Sequence, residues 1–133
     1  MIFTYLALAV FLYMVIYLRS EYDALPDEMP VHYGFDGKPD QIGSKSMMWV
    51  LVGVGGLTAA LMTAIPFVEE VKEGALVLGV THLLCQLLFF YIIYQSIKIA
   101  RGEAEGLGKE FFFLIILVII LPIGLALLGD KLP

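Results

Sequence analysis

The chain has 133 residues, 60% of them hydrophobic, with a formal net charge of −5. That acidic balance excludes the clustered basic face a nucleic-acid-binding protein needs. Cys85 is the only cysteine, which excludes a disulfide within the chain.

Four runs carry no Asp, Glu, Lys or Arg: Ile2–Leu18, Ser46–Val68, Ala75–Ile97 and Phe111–Leu128. All the charges fall between or after them. At 1.5 Å per residue, runs of 17 to 23 residues cover roughly 25–35 Å, close to the hydrocarbon thickness of a bilayer. A soluble core helix would show a polar stripe, and none of these runs does. The predicted fold is therefore all-α and membrane-integral: a single domain, 1–133, forming a four-helix transmembrane bundle in contact with lipid. An ordered 27-residue cap loop, 19–45, joins its first two helices.

The first run lacks a basic leader and a small-residue cleavage site, so it is expected to stay as the first helix rather than act as a removable signal. Its Tyr5 and Tyr17 suit a lipid–water boundary, whereas Tyr13 is expected to find a hydrogen-bond partner inside the bundle.

The loop reads LPDEMPVHYGFDGKPDQIGSK over residues 25–45. Pro26 and Pro30 favour extended backbone around themselves, and Asp36-Gly37 and Pro39-Asp40 are turn signals. Met29, Val31, Tyr33, Phe35 and Ile42 supply apolar groups for packing onto helix ends. A short hairpin or re-entrant cap over the bundle satisfies all of these features. His32 stands among Asp27, Glu28, Asp36 and Asp40. Of these, His32, Asp36 and Asp40 are the candidate ligands for a divalent cation. The other reading is a histidine that locks the loop by hydrogen bonding.

The same stretch resembles the LP-x-x-(I/M)-P-x-H-(Y/F)-x-x-x-G-x-P-D-x-x-G-S-K signature of a domain of unknown function. That domain forms the first part of SdpI-type membrane proteins, which protect bacteria from a secreted peptide toxin. The match includes Leu25, Pro26, Pro30, His32, Gly37, Pro39, Asp40, Gly43, Ser44 and Lys45. It covers the first two helices and their loop. The resemblance implies a module in the bacterial cell membrane that recognises a peptide toxin or a partner membrane protein. The acidic Asp27, Glu28, Asp36 and Asp40 are expected to offer anionic contacts to a cationic ligand. The resemblance also implies that the loop faces outward. The charges imply the reverse, because Arg19, Lys38, Lys45, Lys98, Arg101 and Lys109 flank the loop side.

Ser44 or Ser46 is expected to cap the second helix. Gly53, Gly56, Ala60, Thr63 and Ala64 recur at spacings of three and four, as in close helix seams within membranes. Packing within the chain is the expected use of this seam, and a homo-oligomer is the other. Pro66 is expected to close the span, and Glu69–Gly74 to force an antiparallel return.

The third run alone holds strongly polar interior groups. Ala75, Gly79, His82, Cys85, Gln86, Phe89, Ile93 and Ser96 fall on one face, which is expected to point inward. His82 and Gln86 suit either a structural hydrogen bond between helices or a small transporter's interior path. In the fourth run, Pro122 predicts a kink.

His32 and His82 lie near opposite membrane faces, roughly 20 Å of hydrocarbon apart, which argues against a shared haem. No span carries a carboxylate for cation-coupled export, and no Ser, His and acid meet at one depth. The expectation is a protein that is not an enzyme and needs no cofactor.

Overall fold

A computed structural model describes residues 2–65 and 74–129. Its elements are α1 (Ile2–Glu21), a 3-10 turn (Tyr22–Ala24), β1 (Glu28–Tyr33), β2 (Pro39–Ser44), α2 (Met47–Ala64), α3 (Ala75–Ala100) and α4 (Lys109–Leu128). All four helices are long and apolar enough to cross a membrane, so the chain reads as a multi-pass membrane protein.

The fold is mostly helical, not all-α. The segment expected as a 27-residue loop is largely regular structure: α1 runs on to Glu21, and two antiparallel strands follow. Helix α3 likewise passes Ile97 and ends at Ala100. Polar side chains at these ends do not stop a helix, because water satisfies what the bilayer cannot. The expected end of the second span at Val68, Pro66 included, and the connection 69–73 lie outside the described residues.

Helix α3 is the hub, packing on α1, α2, α4 and β1. Helix α4 touches α3 but buries no residue completely. It remains helical through Pro122. The buried cluster lies toward the hairpin end and joins Met14 and Leu18 of α1, Met48 and Val52 of α2, and Ile93 and Ile97 of α3 to Leu25 and Met29. These last two belong to the segment that reaches water, so their burial contributes about 1.5–3 kcal/mol each. Between the spans themselves lipid is as apolar as leucine, and close packing does the holding.

That packing uses the expected Gly56 and Gly79 together with Gly55, which was not expected. A Cβ on Gly55 would lie 3.0 Å from Met14 Cε, and one on Gly79 would lie 3.2 Å from Phe3 Cβ. Gly55 and Ala59 are buried, while Gly53, Ala60 and Ala64 face outward. Gly56 packs on the ring of Phe11. The small-residue spacing was real, but its inward face is rotated by a residue or two. Tyr13 also differs from expectation: it is largely exposed, with its ring edge against Phe90.

At the hairpin end, the Arg101 guanidinium pairs with Glu21 and ties the ends of α3 and α1 together. Helix α3 stops at a left-handed Gly102, φ 75°, where Gly102 N–H donates to the Ile99 carbonyl and Glu103 N–H to that of Lys98. This glycine closure satisfies carbonyls the helix cannot.

Candidate functional site: a docked hairpin and the cleft beneath it

The hairpin pairs Glu28 with Ser44, Met29 with Gly43 and Pro30 with Ile42. The register then slips, so that His32 meets Gln41 and Tyr33 meets Pro39. Val31 and Asp40 are therefore left out of one-to-one pairing. Such bulges re-aim side chains, and here His32 Nδ1 lies 2.6 Å from Asp40 Oδ1. Gly43, the partner of Met29, leaves room for the Val31 side chain, since a Cβ there would sit 3.0 Å from the valine's Cγ1.

The turn is closed by Gly34 N–H to the Lys38 carbonyl and Gly37 N–H to the Gly34 carbonyl. The Asp36 carboxylate accepts the Lys38 N–H at 3.0 Å. Asp36 is thus used within the turn, and the structure does not bring it to His32 and Asp40. Among the described residues no three His, Cys, Asp or Glu side chains converge as a metal site would require. The close histidine contact is the strand-to-strand bond with Asp40.

Three attachments fix the hairpin to the bundle. Leu107 N–H, in the α3–α4 connection, donates to the Gly37 carbonyl at 2.7 Å. The Tyr33 hydroxyl hydrogen-bonds Ser96 of α3 at 2.5 Å. Burial pushes the Tyr33 phenol above its ordinary value, with the Ser96 bond acting in the opposite direction. Lys45 is the third: its N–H donates to the Asp27 carbonyl, and its ammonium donates to the Tyr22 carbonyl while lying 4.6 Å from that ring's centre. The connection is itself braced, by Gln95 donating to the Gly106 carbonyl and by Gly108 N–H donating to the Tyr91 hydroxyl.

The motif residues divide accordingly. Pro30 and Gly37 are buried, Pro39 and Lys45 half-buried; Pro26, Asp27, Glu28, His32, Asp40 and Ser44 are exposed. Ser46 precedes α2 without a side-chain cap, and its N–H instead donates to Ser44 Oγ at 3.4 Å. Phe35, at the tip, is fully exposed.

Residues 2–56 match the model of a domain of unknown function, DUF1648. No curated protein and no solved structure matches the chain. The matched stretch holds α1, the whole hairpin and the first turns of α2, up to Gly55 and Gly56.

Beneath the hairpin, α2 and α4 each pack on α3 but scarcely on one another. This leaves a cleft of about 420 Å³. Met47, Val50 and Val54 form one wall, Phe111 the other, and Ile92 and Ser96 the floor, with Pro30–Gly34 as the roof. Sequence reasoning missed this cleft, because it depends on which helices α3 holds apart.

His82 and Gln86 lie elsewhere, fully buried in the bundle. Gln86 Nε2 donates to the Gly55 carbonyl at 2.9 Å. Gln86 Oε1 and both His82 ring nitrogens have no partner among the described residues. The hairpin and this buried pair are thus two separate polar features. In α3, Gly79, Ile93 and Ser96 are buried with them.

Proposed function

We propose that this is a non-enzymatic module of the bacterial cell membrane that recognises a peptide or protein partner through residues 25–45. The observation that carries this reading is a hairpin fastened at both ends and at its tip, yet presenting outward the carboxylates of Asp27, Glu28, Asp36 and Asp40 beside a bare Phe35. Such a surface suits a cationic, partly apolar ligand. Charge guides its approach, and Phe35 offers an aromatic anchor on a backbone that the turn and its docking already order. The motif's resemblance to SdpI-type proteins makes a secreted peptide toxin the first candidate. A partner membrane protein would use the same surface.

The test is expression in a toxin-sensitive strain. Protected cells, with protection lost in Phe35→Ser, support the reading. Killing at the level of cells without the gene removes toxin immunity from it.

A second reading, a small transporter, draws on His82 and Gln86, whose two ring nitrogens and amide oxygen are buried without partners among the described residues. Buried ionisable groups in membranes commonly serve ion or substrate paths. Flux in reconstituted vesicles that survives both His82→Ala and Gln86→Ala would dismiss it. The outward placement of Gly53, Ala60 and Ala64 leaves a contact between copies of the chain open to cross-linking.

A further inference from the structure

We propose that the cleft under the hairpin holds an acyl chain of a phospholipid whose headgroup carries an ammonium group, with that group against Asp40. The cleft starts at the hairpin and runs down α2 from Met47 to Val54 and down α3 to Ile92. At 1.5 Å per residue this is about 10–12 Å, within the roughly 15 Å of hydrocarbon that one leaflet provides. Its long direction follows the helices, as a lipid tail does.

The wall side chains Met47, Val50 and Val54 are 45%, 55% and 46% exposed, so the cleft opens sideways. Below it the exposed face of α2 continues through Leu57 and Leu61, one and two turns beyond Val54. The cleft is an inlet of the lipid-facing surface. Its polar groups lie at the roof and upper floor: His32 and the Tyr33–Ser96 hydrogen bond. The matching ligand is apolar below and polar above.

Charge selects the headgroup. The roof segment carries Asp27, Glu28, Asp36 and Asp40 against Lys38 and Lys45, and Lys45 is turned toward Tyr22. At the start of α4, Lys109 and Glu110 offset each other. The Asp40 carboxylate, bonded to His32 and still 52% exposed, adjoins His32, which itself lines the cleft. An ammonium headgroup complements this rim, and an anionic headgroup does not.

The test titrates delipidated full-length protein in detergent with phosphatidylethanolamine and phosphatidylglycerol of identical chains, counting bound lipids by native mass spectrometry. One saturable lipid is expected, with phosphatidylethanolamine favoured about fivefold. Asp40→Asn should erase the preference while leaving binding. Val54→Trp, which fills an exposed wall, should weaken both lipids by about tenfold. If that variant loses its helical circular dichroism, Val50→Phe serves instead. Lipid retained as in wild type by a folded, filled variant overturns the proposal, as does non-saturable uptake or equal affinity for the two headgroups.

Discussion

Leu107 donates its backbone N–H to the Gly37 carbonyl, so the tip of the hairpin and the α3–α4 connection meet backbone to backbone. The approach is too close for side chains. A Cβ on Gly106 would lie 2.6 Å from the Gly37 oxygen, and one on Gly37 would lie 2.8 Å from the Leu107 oxygen. Gly37 also has φ 78°, the left-handed region. Gly37→Ala should therefore cost about 1–3 kcal/mol. Gly102→Ala shares the positive φ but meets nothing within 4 Å, so it should cost only the backbone strain, about 1 kcal/mol. Thermal unfolding of the two variants in one detergent gives the comparison, and equal losses would mean the tip is not docked.

Gly55 and Gly53 provide a second contrast. Gly55→Val must displace Met14 and Gln86, whereas Gly53→Val meets open space. Overpacking of this kind costs about 1–3 kcal/mol, so only the first should lower the melting temperature appreciably. The opposite ranking would show α2 rotated from its described position.

This pair also shows what the sequence could and could not convey. Charge-free runs disclosed the four spans because burying an ion in hydrocarbon is costly whatever its neighbours. The turn residues Asp36 and Gly37 disclosed a bend between extended segments, since their backbone preferences are local. The choice of Gly55 over Gly53 was not legible, because both satisfy the same spacing and only the partner helix distinguishes them. The same holds for Tyr33 with Ser96, 63 positions apart, and for the slip in register that joins His32 to Asp40. The cleft has no signal of its own along the chain, since it arises where α2 and α4 fail to meet.

His82 is expected to trade stability for something else. Its two nitrogens have no partner among the described residues, so their desolvation is not recovered there and His82→Leu should leave stability unchanged or raise it by about 1 kcal/mol. Gln86→Leu removes both the bond to Gly55 and the orphan oxygen, so it should be nearly neutral, within about 0.6 kcal/mol. Denaturation in mixed micelles measures both. A large loss in His82→Leu would reveal a structural partner.

Tyr33→Phe should loosen the hairpin by about 1 kcal/mol through loss of the Ser96 bond. Because burial raises the phenol's pKa, the folded state holds this proton longer than the unfolded chain does. Docking should hold below the ordinary tyrosine value of 10.0 and weaken as the pH rises through the raised value. Tyr33→Phe should lose this contribution to the alkaline decline, which a pH series of melting curves would show.

The central claim is that residues 25–45 form a rigid cap rather than a mobile linker, and amide hydrogen exchange in lipid nanodiscs tests it most directly. The account predicts slow exchange at the amides of Gly34, Lys45 and Leu107, each hydrogen-bonded to the Lys38, Asp27 and Gly37 carbonyls respectively. Exchange of all three at the rate of an unstructured chain would contradict it.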